Sequence, residues 1–256
     1  MLKEFDQAFE RFERDAYSKL YECHFDADKE LENFDLQIQA QSLAEDIGYF
    51  CMIIRDLYLE ASEKVSQEMD RKAEKALGPV KKDSGRDPTM ICLGKLGVAY
   101  KSFYFLVRAF HDVLYKLILC LHDQEIGPNS SMKAVIDKNG NLKRNNPAGE
   151  FISRYCDGYA EWFSSMRARR NLSKCGVGIS YDLGKNFITN ETKLAIRIGS
   201  LPKKQSPSLT LEEFTKALTI STQITGAMIE YGLTTGRFIS PNGALKRVAA
   251  KNRRVP

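Results

Sequence analysis

The segment from Thr89 to His122 constrains the fold most, because its middle is apolar on nearly every side of a helix. A helix of that kind lies either inside a protein core or inside a membrane. Charged side chains interrupt the segment at five positions: Lys95, Lys101, Arg108, Asp112 and Lys116. These charges argue against a membrane span. The segment therefore predicts the central core helix of a helical bundle.

Apolar residues that recur every three or four positions predict further helices on both sides of this segment. They run from about Leu2 to Tyr21, from about Leu36 to Leu77 and from Leu211 to about Thr235. Thr210 is the expected N-cap of the last helix, and Glu213 is placed to complete a capping box. Alternating and β-branched residues predict a hairpin or a three-stranded meander near residues 177–199. The predicted fold class is mostly α, a bundle of four to five main helices with this small β insert.

Residues 146–174 predict a helix with an aromatic face. Asn146 is a favourable N-cap, and Pro147 suits the first helical turn. The side chains that share the face are Phe151, Tyr155, Tyr159, Trp162 and Met166. We interpret this face as buried core in preference to a ligand-binding aromatic box.

A dense group of cations follows the aromatic face. It comprises Arg167, Arg169, Arg170 and Lys174, and Gly176 then favours the end of the helix. Cations are favourable at the negative end of the helix dipole, which would make the group a solvated helix end. Arginine also pairs with phosphate in a bidentate fashion, which would make it a phosphate site. Composition leaves both interpretations open.

The string from Arg170 to Gly176 (RNLSKCG), preceded by an aromatic helix with Trp162 and Phe163, resembles the signature of HEPN-domain proteins. That family carries an Arg, usually a polar residue such as Asn, three further residues and then a His. Its members are helical bundles that commonly dimerise. Many are metal-independent ribonucleases of toxin–antitoxin, phage-defence or RNA-processing systems. The direct match is confined to this stretch, and the rest of the chain agrees in being helical.

The resemblance implies catalytic positions at Arg170, Asn171 and Cys175, and RNA phosphate-binding positions at Arg167, Arg169 and Lys174. Cys175 stands where the family has its His. In the family mechanism the His transfers a proton and the Arg stabilises charge in the transition state. A thiol with an ordinary pKa of about 8.5 is less suited to this than a His near 6.5. We therefore expect weak or absent cleavage and retained phosphate binding.

Residues five apart on an ideal helix point about 140° away from each other. Arg170 and Cys175 can face one pocket only if the helix ends between them or if a second subunit completes the site. The glycines that follow permit the first arrangement, and a homodimer would supply the second.

The charge of the chain is unevenly distributed. The net charge is +5, but residues 1–70 hold 18 acidic and 7 basic side chains, a net of −11, so the remainder carries +16. The residues after Glu230 contain no acid and six basic side chains. A basic surface of this kind is available to RNA, or it can meet the acidic part of another subunit. Both interpretations are open. We interpret the tail at 241–256 as a solvated basic segment in preference to a short helix from Gly243 that contacts RNA.

These observations lead to one functional hypothesis and one alternative. We expect a cytoplasmic protein, because the six Cys lack paired spacing and no signal peptide opens the chain. The resemblance implies that residues 1–240 form one HEPN-like helical domain, followed by the basic tail at 241–256. We expect a homodimer associated with RNA through a degenerate ribonuclease site, with no metal and no cofactor. The alternative is a non-catalytic module that binds a protein partner, such as an antitoxin-like interaction protein.

Overall fold

The computed structural model describes residues 1–25, 30–75, 88–127, 130–174, 179–186, 191–198 and 208–240. This part of the chain is mostly helical, which confirms the predicted fold class. The helices are α1 (Leu2–Phe12), a π-helical segment (Glu13–Tyr17), α2 (Ser18–Glu22), α3 (Leu31–Lys75), α4 (Pro88–Leu121), α5 (Pro147–Tyr155), α6 (Tyr159–Lys174) and α7 (Leu211–Thr234). A short 3-10 helix covers Met132–Val135. The buried apolar side chains form one continuous core cluster.

Helix α4 is the centre of the bundle, as predicted. It packs along α3 and also contacts α5, α6 and α7. The ring of Phe214 from α7 lies against three aromatic rings of α4, with centroid distances of 4.3 to 5.2 Å to Tyr100, Phe103 and Tyr104. Aromatic contacts at such distances join α4 and α7 firmly.

Of the helices in the described ranges, α4 alone, over Thr89–Leu121, is long and apolar enough to cross a membrane. Half of its most apolar window is buried inside the protein. The core helix of a helical bundle meets the same criterion of length and composition.

The first predicted helix is one helical run with a π-helical segment in its middle. Its buried side chains are Phe5, Ala8, Phe12, Ala16 and Leu20. From Phe12 onward they are four residues apart, a spacing that drifts round an ideal α-helix. The wider turn of the π segment takes up this drift, so that both halves of the run face the core.

The described ranges also contain five strands. Strand β1 (His24–Phe25) pairs antiparallel with β5 (Phe238–Ile239). Strands β2 (Ile179–Asn186) and β3 (Glu191–Ile198) form an antiparallel hairpin, and β4 (Ser208–Leu209) adds to β3. The hairpin lies within the predicted β insert. The third strand of this sheet, β4, lies outside the insert, immediately before α7.

The prediction of one continuous helix after Asn146 is wrong. The helical segment divides into α5 and α6 at residues 156–158, where Gly158 has a φ of +71°. Glycine adopts this left-handed conformation without steric cost, which permits the break. Because the break changes the direction of the chain, Tyr155 leaves the predicted buried face and is 42% exposed.

Candidate nucleic-acid interface

Helix α6 carries the predicted site on its last two turns and fixes it to the bundle through its first two. Tyr159, Trp162, Phe163 and Met166 are all buried, at the spacing of one helix face. Tyr159 and Phe163 stack with ring centroids 5.5 Å apart. The aromatic residues thus act as core, as predicted, and they hold the basic end of α6 beside α4.

Arg169 is held by its own subunit. Its two terminal nitrogens donate to the two carboxylate oxygens of Glu213 on α7, each over 2.9 Å. The Arg169 side chain is 10% exposed. This bidentate geometry is the strong form of the Arg–carboxylate pair. We therefore leave Arg169 out of the phosphate-binding residues and regard it as the link between α6 and α7.

A second ion pair lies beneath the basic end of α6. Arg108 and Asp112, one turn apart on α4, have Nη1 and Oδ1 2.7 Å apart. The guanidinium of Arg108 also lies 4.6 Å from the ring centroid of Phe163. Asp112 also accepts a hydrogen bond of 2.8 Å from the backbone N–H of Met132. In the sequence both residues were visible only as charges in an apolar helix. Their i, i+4 spacing was the signal of a buried pair.

Arg167 and Arg170 add positive charge to this pair. Burial lowers the pKa of Arg108, Asp112 opposes the shift, and the charges of Arg170 and Arg167 add to it. Burial raises the pKa of Asp112, while Arg108, Arg170 and Lys116 counteract the rise. We call Arg108, Asp112, Arg167 and Arg170 the arginine cluster. The charges that act within it are mostly positive.

The arginine cluster retains unused hydrogen-bond donors. The Nε atoms of Arg108 and Arg170 are buried and have no hydrogen-bond partner among the described residues. Arg170 uses Nη2 to donate 3.0 Å to the side-chain oxygen of Asn171, which is a neutral partner. Within the same ranges Arg167 makes no ion pair or side-chain hydrogen bond, and it is half-buried. A buried guanidinium donor without an acceptor is costly, so an anionic oxygen at this position would be stabilising.

The remaining predicted site residues are only partly placed. Asn171 is exposed next to Arg170. Lys174 is the last residue of α6, and its side chain lies outside the described part of the structure. Cys175 and Gly176 lie outside the described residues, as does the basic tail at 241–256. The structure therefore brings Arg167, Arg170 and Asn171 together with Arg108. Arg108 was not among the site residues predicted from the sequence.

Behind the arginine cluster lies a buried polar network around His111. Its Nδ1 is 3.1 Å from the Tyr159 hydroxyl, and its Nε2 is 2.9 Å from the Ser221 hydroxyl. Burial lowers the pKa of His111 to about 3, and the charge of Arg108 contributes. All three side chains are buried, and both ring nitrogens are already engaged. The network joins α4, α6 and α7, and it holds a neutral imidazole that does not reach the surface.

The arginine cluster is suited to binding an anion and stabilising its charge. Guanidinium groups are hydrogen-bond donors that stay positively charged near neutral pH, so they do not act as a general acid or base. The nearby His111 is buried and neutral, so it does not supply a general base at the surface. Comparison of the chain with protein-family models, with curated proteins and with solved structures found no match.

Proposed function

We propose that this chain is a homodimeric, RNA-associated protein that holds phosphate groups at the arginine cluster. The site is HEPN-like in sequence, with its ribonuclease activity weakened or lost. One observation carries the proposal: among the described residues, the guanidinium groups of Arg108, Arg167 and Arg170 outnumber the carboxylates beside them, and two of their buried Nε donors have no acceptor. A phosphate oxygen would supply both the charge and the acceptor.

The depth of Arg108 makes a phosphate ligand more favourable than a solvated helix end. A solvated end needs only exposed cations, which water and salt neutralise at little cost. Arg108 is instead 6% exposed. Its carboxylate partner, Asp112, also interacts with the positive charges of Arg170 and Lys116. Phosphate contacts position a nucleic acid without reading its sequence, so RNA binding through this cluster would be broadly non-specific.

Binding is tested with fluorescently labelled RNA in the presence of a chelator. The double variant Arg167→Gln/Arg170→Gln removes two cations that form no ion pair with the described residues. Affinity should fall at least about tenfold, and the dependence of affinity on salt concentration should become shallower. Arg11→Gln combined with Lys3→Gln on α1 is the charge-matched control, because both side chains are exposed and lie on another helix. Affinity that is unchanged in the double variant would reject the phosphate site.

Cleavage is tested separately with the substitution Cys175→His, which restores the family's residue type. The proposal expects little or no RNA cleavage by the native chain and a gain of cleavage in this variant. The gain should persist in chelator and should be lost on adding Arg170→Gln. If no form cleaves RNA while Arg170-dependent binding remains, the catalytic part of the resemblance is wrong and the binding part stands.

A second candidate, a non-catalytic protein-interaction module, is favoured by an apolar stripe on α4. Ile91, Val98 and Phe105 are seven residues apart and are 50%, 63% and 38% exposed. A seven-residue repeat of apolar side chains is typical of a helix that packs against another helix. A second copy of the chain is the partner that agrees with the homodimer proposed above. A heterologous protein partner would occupy the same stripe if the chain is monomeric.

A further inference from the structure

A cavity separate from the arginine cluster lies at the C-terminal end of α4, beyond Arg108 and Asp112. It has a volume of about 460 Å³ and is bounded by the C-terminal ends of α4 and α7 and by the start of α5. This volume is within the range of about 300–1,000 Å³ that is typical of small-molecule sites. His122, in its wall, follows Arg108 by fourteen residues, which corresponds to about 21 Å along a helix.

One wall of this cavity is aromatic. The rings of His122 and Tyr231 stack with centroids 4.9 Å apart and an interplanar angle of 26°. Phe151 meets both rings edge-on, at 6.1 Å and 5.8 Å. Burial lowers the pKa of His122 from its ordinary value, which favours the neutral imidazole. Its Nε2 is buried and has no hydrogen-bond partner among the described residues.

The rim of the same cavity is cationic. It includes Arg144 and Arg154, and Arg154 is paired over 3.2 Å with the carboxylate of Glu150. Arg144 is exposed and has no ion pair within the described ranges. The chain before Arg144 is fixed against α5, because the backbone of Lys143 lies against Gly149 with no room for a side chain. Arg144 is thus a cation placed by close backbone packing beside an aromatic wall.

We propose that this cavity, the His122 pocket, binds a small molecule that combines a planar aromatic ring with an anionic group. The ring packs on the wall formed by Tyr231 and Phe151, and the anion pairs with Arg144 at the rim. His122 Nε2 forms a hydrogen bond with a polar atom on the ring, as donor or acceptor according to its tautomer. The site is independent of the arginine cluster and of any RNA bound there.

Binding is measured by NMR through the imidazole signals of the three His residues in the chain. Two probes have the proposed chemistry, indol-3-yl phosphate and indole-3-acetate, and their relative affinities tell a phosphate from a carboxylate ligand. Indole, cyclohexylacetate and inorganic phosphate each lack the ring or the anion. Saturable shifts of the His122 signals are expected with at least one of the two aromatic anions. The signals of His24 and His111 should not move, and the three incomplete probes should be much weaker.

Two variants identify the contacts. Arg144→Gln should weaken the aromatic anions about tenfold, since it removes a charge-assisted contact. It should leave RNA binding at the arginine cluster unchanged. Arg11→Gln alone is the charge-matched control and should bind the probes like the native chain. Tyr231→Leu should weaken both aromatic anions. The proposal is overturned if no probe shifts His122, if cyclohexylacetate binds as well as indole-3-acetate, or if Arg144→Gln binds like the native chain.

Discussion

Arg169 of α6 and Glu213 of α7 form a bidentate ion pair, with both nitrogen–oxygen distances at 2.9 Å. The pair joins the helix that carries the arginine cluster to the helix that packs on the core of α4. It also distinguishes the arginines at the basic end of α6. Arg169 is paired within its own subunit, while Arg167 and Arg170 make no ion pair with the described residues.

Replacing Arg169 with Met should destabilise the fold, because it leaves Glu213 without its partner. We expect the free energy of unfolding in urea to fall by about 2–3 kcal/mol. Arg154→Met is the matched control, since the Arg154–Glu150 pair is exposed at 63% and 61%. That change should cost less than about 0.5 kcal/mol. Equal losses in the two variants would contradict a structural role specific to Arg169.

The buried His111 makes stability depend on pH. Its pKa is lowered to about 3 in the folded state, against about 6.5 in an unfolded chain. Between these values the unfolded state binds one more proton, so stability is retained above pH 6.5 and declines as the pH falls toward 3. The contribution is about 1.4 kcal/mol per pH unit.

Urea unfolding between about pH 6 and pH 5 tests this, because most carboxylates are still ionised there. His111→Gln should show a pH slope smaller by about one proton than the native chain. The imidazole NMR signals of native His111 should remain those of a neutral ring at pH 5. An imidazolium signal at that pH would show that the histidine is not held as described.

Gly149 and Gly94 make a contrasting pair of helical glycines. A Cβ at Gly149 would overlap the backbone carbonyl of Lys143, whereas a Cβ at Gly94 meets nothing within 4 Å. Gly149→Ala should therefore reduce stability by about 1–3 kcal/mol, because backbone must move. Gly94→Ala should increase it by about 0.5–1 kcal/mol through helix propensity. Thermal unfolding of both variants decides this, and stabilisation by Gly149→Ala would be inconsistent with the close packing.

The apolar stripe on α4 predicts the oligomeric state. Val98 is 63% exposed in the single chain, and Val98→Glu would place a charge in the proposed dimer interface. Light scattering coupled to size exclusion should show a dimer for the native chain and a monomer for this variant. Leu233→Glu is the control, since Leu233 is 40% exposed on α7. A native chain that is monomeric at high concentration would exclude the homodimer.

Asp112 is the carboxylate of the arginine cluster, and its neutralisation should strengthen anion binding. Asp112→Asn retains an oxygen that accepts the backbone N–H of Met132 while removing the negative charge. RNA affinity should rise several-fold, and the salt dependence should become steeper. The labelled-RNA titration described above measures both quantities. Weaker binding in a variant that remains folded would mean that Asp112 positions the arginines and does not merely offset their charge.

Local signals predicted much of the fold. The central position of α4 followed from its all-round apolar middle, and its observed bounds differ from the prediction by one residue at each end. Thr210 caps α7 as predicted, accepting a hydrogen bond of 3.4 Å from the N–H of Glu213. The second half of the expected capping box is different, because both carboxylate oxygens of Glu213 accept from Arg169. The ion pair with Arg169 replaces the expected contact of the Glu213 side chain with the N-cap backbone. The sequence of α7 alone does not specify this, because Arg169 lies on another helix.

The candidate site was harder to predict for the same reason. Arg167, Arg169 and Arg170 look alike as neighbours in the sequence, yet one is buried against α7 and the others turn toward α4. Their separation depends on which helices pack on either side of α6. Arg108 belongs to the site because α4 packs beneath α6, and the sequence around Arg108 does not specify that packing. Its spacing from Asp112 indicated only an ion pair. Gly158 was a possible helix break in the sequence. The aromatic residues keep their helical spacing across it, so the sequence predicted one continuous helix.

The π segment at Glu13–Tyr17 determines how the amino-terminal part of the chain tolerates changes in length. Deleting one residue there would restore a regular helix and leave α1 and α2 in nearly the same rotational relation, because a π turn holds one residue more than an α-turn. Deleting one residue from the regular turns of α1 would instead rotate the residues before it by about 100° and turn Phe5 away from the core. A shortening by one residue is therefore tolerated at Glu13–Tyr17 and not in the regular turns on either side of it.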